Sequence, residues 1–387
     1  MQLIDKQEAL LLKGRDAGEV SSKKKSRFVK LACILVLECI VLFAVAEGIA
    51  RLFLPPGPHF IHPQMLMEPS ITRGFTHRPN QHAYTIDKPF VTNSLGLRDE
   101  REVPVNKERE VRIVALGDSM TVGLGVRSEE TFASQLEKSL NTRFGRVRAL
   151  NAAVGAYTTW QEVDLLKEKI DHLQPDIVLL VFYWNDLYTK PRPVVAIPVS
   201  ESGEQHDAAL KYLRIFKRSA LLLFLRERYA ILRLKISPSF DWSHQEMIYE
   251  GGTSPYLEQA YQDVSESLEE LKSLGEKHGF IPIVIVLPIP GQIHRLDAPI
   301  HMQNRLKMIT DKIGLRTIDM LHPLQQAYTL RHDLVIPWDN SHYSPQGHKV
   351  VAESIERYLL AEGLLSTKNT NNTESAVKAS SIHSRRG

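Results

Sequence analysis

The stretch Arg112-Ile113-Val114-Ala115-Leu116-Gly117-Asp118-Ser119-Met120-Thr121-Val122-Gly123 is a buried-strand pattern that runs into a glycine-bounded turn. Short, apolar and β-branched, the run predicts a strand over residues 111–116. Ser119 then sits just past the strand's carboxyl end, where a nucleophile would be presented. The general hydrolase elbow Gly-x-Ser-x-Gly is not matched, because Met120 and Thr121 follow Ser119, and no other serine satisfies it.

Far downstream, Trp338-Asp339-Asn340-Ser341-His342 places a carboxylate and an imidazole three residues apart, before a helix signalled by Ser344-Pro345. A serine hydroxyl is a poor nucleophile until a base takes its proton, and the base works best when a third group holds its tautomer. Ser119, His342 and Asp339 fit nucleophile, base and orienting acid.

Between these ends, strands and helices alternate, which implies a parallel sheet covered on both faces. Strands are predicted at 111–116, 147–151, 176–182, 281–287 and 316–318. Helices are signalled at Thr159-Trp160-Gln161-Glu162, read as a capping box, at Ser254-Pro255 with an apolar face ending near Gly279, and from Ser344 to about Leu360. The expected fold is α/β, a flavodoxin-like three-layer sandwich with a five-stranded parallel sheet, preceded by an N-terminal transmembrane helix. In such sheets ligands bind outside the carboxyl ends of the strands.

Gly117-Asp118-Ser119-x-Thr121-x-Gly123 and Asp339-x-x-His342 resemble the first and last blocks of the SGNH (GDSL-type) hydrolase family. Trp184-Asn185-Asp186 resembles the family's Gly-x-Asn-Asp block, with Tyr183 in place of the glycine. Asn151-Ala152-Ala153-Val154-Gly155-Ala156-Tyr157 resembles the block whose glycine gives a backbone N–H to the oxyanion; the family glycine commonly lies five residues after the asparagine, at Ala156 here. The resemblance implies catalytic residues Ser119, His342 and Asp339 and an oxyanion hole of Ser119, Gly155 and Asn185. Ala156 rivals Gly155: alanine can donate its N–H if its φ is negative, whereas a left-handed geometry favours the glycine. Thr92-Asn93-Ser94-Leu95-Gly96-Leu97-Arg98 is similar to segments upstream of the serine block in membrane-attached bacterial members.

Leu31 to Ala50 is a nearly continuous apolar stretch of membrane-spanning length, interrupted by Glu38 and Glu47. A central carboxylate costs about 2.5–3.5 kcal/mol on insertion scales. Lys23, Lys24, Lys25, Arg27 and Lys30 precede it and only Arg51 follows closely, which places the N-terminus in the cytoplasm and the catalytic domain outside. This makes it a single-pass membrane protein, by resemblance of the bacterial inner membrane. Ala44-Val45-Ala46 also fits a cleaved signal peptide. Both cysteines, Cys33 and Cys39, lie in the proposed span, so no disulfide is available to the catalytic domain.

The domain reading is residues 1–30 cytoplasmic, 31–50 membrane helix, 51–90 linker or neck, 91–365 catalytic and 366–387 a polar, disordered tail. An insertion over 190–252 lies near the active-site edge; its 219–235 stretch reads as a basic amphipathic helix, packed on the domain or touching the lipid surface. With 387 residues, 43% apolar and a net charge of only +3, the chain fits a globular enzyme with an attachment and no nucleic-acid role.

No histidine-rich cluster has metal-ligand spacing, so no metal or cofactor is expected. His348 is read as a surface or capping residue, Asp118 and Asp186 as loop ties. The expected partners are an ester substrate, such as acylated polysaccharide or lipid, and the membrane. Three functions are open: a serine esterase, an O-acyltransferase to a surface polysaccharide, and a non-catalytic surface module.

Overall fold

A computed structural model describes residues 30–31, 33–53, 62–107, 109–191, 219–222, 224–225, 228–229, 242–336 and 341–365. The chain divides into two compact units: 1–61 with 207–238, and 62–206 with 239–387. In the first, helix α1 (Cys33–Phe53) is long and apolar enough to cross a membrane. Its Leu35, Leu37, Ile40, Leu42 and Phe53 are exposed, as a lipid-facing helix requires. Glu47, which interrupts the apolar run in the sequence, is not left bare. It accepts hydrogen bonds from the Ser219 hydroxyl (2.7 Å) and the N–H groups of Ala220 (2.9 Å) and Leu221 (3.0 Å), and so caps the start of a second helix. Most of the 190–252 insertion and the 366–387 tail lie outside the described residues.

The second unit holds the sheet. Two antiparallel hairpins come first, β1 (Met67–Ser70) with β2 (Gly74–His77) and β3 (His82–Thr85) with β4 (Lys88–Val91). The stretch expected to be a neck therefore folds from His62 onward as part of the catalytic unit. Its Pro and Gly residues punctuate short strands, and strands of four residues carry too few alternations to register as a pattern.

The main sheet comprises β5 (Val111–Leu116), β6 (Val147–Asn151), β7 (Ile177–Phe182), β8 (Ile281–Val286) and β9 (Arg316–Asp319), all parallel, in the order β6-β5-β7-β8-β9. Every predicted strand is present within one residue at each end. Strands β5, β7 and the end of β8 are buried on both faces, which explains their unbroken apolar runs. Arg112 is the exception: it is fully buried at the start of β5, where it donates to the carbonyls of Pro104, His172 and Leu173 and pairs with Glu110.

The helices are α2 (Ser119–Val122), α3 (Phe132–Phe144), α4 (Thr159–Leu173), α5 (Trp242–Glu250), α6 (Pro255–His278), α7 (Pro290–Ile293), α8 (His301–Ile313), α9 (Leu321–Leu330) and α10 (Pro345–Ala361). α3 packs on α10 and α4 on α6, which gives the helical layers of a three-layer α/β sandwich. The cap of α4 falls one residue before its predicted place. Thr158 and Gln161 form the capping box, while Glu162 turns into the protein and Thr159 donates to Asp186. Tertiary contacts, not the local Thr-x-x-Glu spacing, decide which pair caps.

From β5 the chain goes to β6 on one side and then to β7 on the other. The crevice of a doubly wound sheet opens at that reversal, between the loops after β5 and β7.

Candidate active site

Ser119 opens α2 directly after β5. Its turn is built from close contacts: a Cβ on Gly117 would lie 2.1 Å from the Thr121 hydroxyl oxygen. The Asp118 carboxylate accepts the Met120 N–H at 2.8 Å and caps the helix, and Gly123 ends it at a left-handed φ of 80°. Beneath the turn, buried Arg98 donates to the carbonyls of Val122 (2.5 Å), Gly123 (2.5 Å) and Val126 (2.6 Å). The guanidinium thus gathers the last carbonyl of α2, that of its C-cap Gly123 and one from the loop beyond, groups that a helix end leaves without an intrahelical partner. Burial lowers Arg98 to about 10, so it stays charged at neutral pH. The Asn93-Ser94-Leu95-Gly96-Leu97-Arg98 segment thus has a physical task, with Asn93 Oδ1 accepting from the N–H groups of Leu95 and Leu97 to shape the loop.

His342 Nε2 lies 2.9 Å from Ser119 Oγ, the distance at which the hydroxyl donates to an imidazole. Its loop is closed at the neck: the Ile336 N–H donates to His342 O, the Ser344 N–H donates to Leu334 O, and Val335 and Tyr343 form an antiparallel bridge. Asp339 lies outside the described residues.

Asn185 is in the 3-10 turn Trp184–Asp186 after β7. Asp186 ties that turn down, accepting from the Tyr183 N–H (2.7 Å) and the Thr159 hydroxyl (2.8 Å). Tyr183 takes the place of the family glycine without strain, since its φ is −133°. The Asn185 amide faces the Asp118 carboxyl and opposes the rise in its pKa that burial causes. Its amide N–H groups are the donors it can offer a ligand in the cleft. The loop-tying roles expected for Asp118 and Asp186 are both observed.

In the turn after β6, Asn151 Nδ2 donates to Thr121 O at 2.9 Å and so links the two turns. The Val154 N–H is taken by Gly117 O, whereas the N–H groups of Ser119, Gly155 and Ala156 donate to no carbonyl among the described residues. The left-handed residue of this turn is Ala156, at φ 64°, and not Gly155. That conformation costs an alanine about 1–2 kcal/mol. Tyr157 anchors the next position, its hydroxyl donating to Phe75 O at 2.6 Å and accepting from Arg73 at 3.2 Å.

Ser119, Gly155, Ala156, Asn185 and His342 line one cleft of about 510 Å³. The same cleft is lined by Met65, Met67, Met120, Leu124, Trp184 and Gln245, which the sequence reading did not single out. The alternation Met65-Leu66-Met67-Glu68 was the available signal, a period of two in a stretch taken as linker.

Behind the cleft, Asp118, Asp186 and Glu162 are all buried. Burial, followed by the charges of Asp186 and Asp118, pushes Glu162 well above the carboxylate range, and neither of its oxygens has a partner among the described residues. Burial likewise raises Asp118 and Asp186.

His348 is buried, not on the surface; its Nδ1 accepts the Phe132 N–H at 3.3 Å, at the first residue of α3. Burial lowers it to about 3. Of the two roles read for it, surface or capping, the structure shows the capping one, because α10 packs that face on α3.

A serine hydroxyl bonded to an imidazole, with free N–H donors and an amide beside it, can attack a carbonyl and hold the resulting oxyanion. Among solved structures, LAE5, an α/β hydrolase from the metagenome of Lake Arreo, Spain, is 16% identical with a TM-score of 0.40, over 66% of this chain and 97% of that one. An acetylxylan esterase from Geobacillus stearothermophilus is 13% identical with a TM-score of 0.37, over 64% and 93%. At such scores these likenesses say nothing of substrate. No curated protein sequence matches. The GDSL-like lipase/acylhydrolase model matches residues 113–355, from the strand before the nucleophile turn to the helix after the histidine. A match over well over half of the chain, laid on this cleft, leaves one assignment: the protein belongs to the GDSL-like lipase/acylhydrolase family and is a hydrolase acting on ester bonds.

Proposed function

We propose that the protein is a membrane-anchored serine esterase that cleaves carboxylic esters through an acyl-serine. The 2.9 Å contact between Ser119 Oγ and His342 Nε2 in an open cleft carries this reading. His342 takes the Ser119 proton as Oγ attacks the ester carbonyl carbon. The C=O electron pair moves onto oxygen, where the N–H of Ser119, the N–H of Gly155 and the Asn185 amide hold it. Collapse of the tetrahedral intermediate expels the alcohol, which receives its proton from His342. Water, deprotonated by the same imidazole, then releases the acid and restores Ser119.

Asp339, by the family resemblance, orients the imidazole. Ala156 is the alternative to Gly155 as donor, because it lines the same cleft; the left-handed φ at Ala156 favours Gly155. Helix α1 supports attachment to a membrane, and the lysines before it support an outward-facing catalytic unit.

The test uses the full chain in lipid vesicles with short-chain aryl esters and a fluorophosphonate probe. Ester cleavage and labelling should both vanish in Ser119→Ala, a loss of about 10⁴-fold or more in turnover. Retained cleavage in Ser119→Ala would overturn the reading. Repeating the assay with an acylated polysaccharide and an acceptor polysaccharide separates hydrolysis from transfer: release of free acid unaffected by the acceptor is the expected result.

A further inference from the structure

We propose that the first hairpin, through Met65 and Met67, is the acyl-selecting wall of this cleft, and that the preferred ester carries an apolar acyl chain of butyryl to octanoyl length. The inference rests on the serine-esterase reading above, and concerns residues that lie before the family match at 113–355.

Met65 lies two residues before Met67, the first residue of β1, and both side chains line the cleft beside Gly155, while Leu66 between them is exposed. That backbone is held on both sides. The Met65 N–H donates to Tyr84 O at 3.0 Å, the Leu66 N–H to Gln81 Oε1 at 2.8 Å, and Met67 pairs with His77 across the hairpin. At the hairpin's turn, buried Arg73 pairs with Asp164 (2.9 Å) and Glu168 (2.7 Å) on α4. The wall is thus pre-built.

Its methionine ends meet the proposed oxyanion turn. A Cβ built on Gly155 would lie 3.6 Å from Met65 Cε and 3.8 Å from Met67 Cε. Met120, Leu124 and Trp184 continue the apolar surface beside Ser119. The leaving oxygen must lie on the His342 side, since that imidazole protonates it. The oxyanion lies against the Gly155 and Asn185 donors, so the acyl chain takes the remaining direction, which we assign to the methionine surface that borders this turn.

Size agrees. At roughly 30 Å³ for a water-sized group, an octanoyl chain fills about half of the 510 Å³ cleft, whereas an acetyl group leaves most of it to water. Methionine, unbranched and polarisable, suits a wall that accepts a range of lengths.

The full chain in lipid vesicles is assayed with p-nitrophenyl acetate through octanoate, a series in which only the acyl part changes. kcat/KM should rise about fourfold per added methylene from acetate to hexanoate. Met65→Ala and Met67→Ala should flatten this slope, Met67→Trp should move the optimum back toward acetate, and Met67→Leu should preserve it. Thermal unfolding of each variant checks the fold, and Met67→Leu guards against a misfolded Met67→Ala.

Acetate cleaved best, with Ser119 required, would overturn this inference and leave the esterase reading intact. An acyl slope unchanged in both the Ala and Trp variants would overturn it too. So would a steeper dependence on alcohol length in a series of alkyl acetates. No cleavage at any length, with Ser119 unlabelled by the fluorophosphonate, would remove the esterase reading and this inference together.

Discussion

In the turn after β5, Gly117, Asp118 and Gly123 each occupy the position that their side chain suits. Gly117 allows the approach of Thr121, Asp118 caps, and Gly123 takes the left-handed φ. In the turn after β6, the left-handed φ falls on Ala156, while the adjacent Gly155 does not need one. The first turn is encoded in its own dozen residues. The second is held in place by its neighbours: Tyr157 bonded to the first hairpin, Asn151 bonded to the nucleophile turn, and Val154 bonded to Gly117. A locally consistent turn can be recognised by motif, whereas an imposed one shows a residue that contradicts its own conformation.

The largest effect that would break this comparison is expected at the proposed oxyanion donors. Asn185→Ala should lower ester turnover by about 10²–10³-fold, with far-UV circular dichroism unchanged. Near-normal turnover would remove Asn185 from the site.

Next in size is the support of the nucleophile turn. Arg98→Leu removes the guanidinium from three carbonyls, of which Val122 O and Gly123 O keep only long contacts, and should cost about 3 kcal/mol in denaturant unfolding. Arg98→Lys should recover only part, because an ammonium cannot span the same fork of acceptors. A loss below about 1 kcal/mol would mean that water replaces the guanidinium.

A smaller effect depends on pH. Burial, followed by the charge of Arg98, holds both His348 and His77 at about 3 against the ordinary 6.5. The unfolded chain therefore binds protons first. Stability is complete above about pH 6.5 and falls as the pH drops toward 3, by about 2 kcal/mol per histidine at pH 5. Unfolding free energies at pH 7 and pH 5 for the wild type, His77→Gln and His348→Gln should show each variant losing that much less between the two. Identical losses in all three would place the acid sensitivity elsewhere.

The smallest effect sharpens the comparison. Ala156→Gly should raise stability by about 0.5–1 kcal/mol, the relief of a left-handed alanine less the entropy of glycine in the unfolded chain. Thermal unfolding measures this directly. An unchanged or lower midpoint would show that the turn carries no strain.

Much of the fold was legible because parallel strands buried on both faces read as unbroken apolar runs, as at Val111–Leu116 and Ile177–Phe182. Helix starts with a local cap and proline, at Ser254-Pro255 and Ser344-Pro345, were legible for the same reason: their partners are adjacent in the chain. The cap of α4 was not, because Glu162 is drawn into the buried carboxyl cluster by packing that spacing does not report. The choice between a surface and a capping role for His348 was not legible, because its burial depends on α3, more than two hundred residues away.

By itself, the sequence determined the strands and helices of an α/β sandwich, the nucleophile turn and the apolar N-terminal helix, since each shows as a local period, cap or apolar run. Only the tertiary structure brought His342 to within 2.9 Å of Ser119, put the left-handed φ on Ala156, and turned an apparent neck into hairpins whose Met65 and Met67 line the cleft. Those contacts join segments far apart in the chain, and no local period or propensity encodes the distance between two side chains that meet only when the sheet closes.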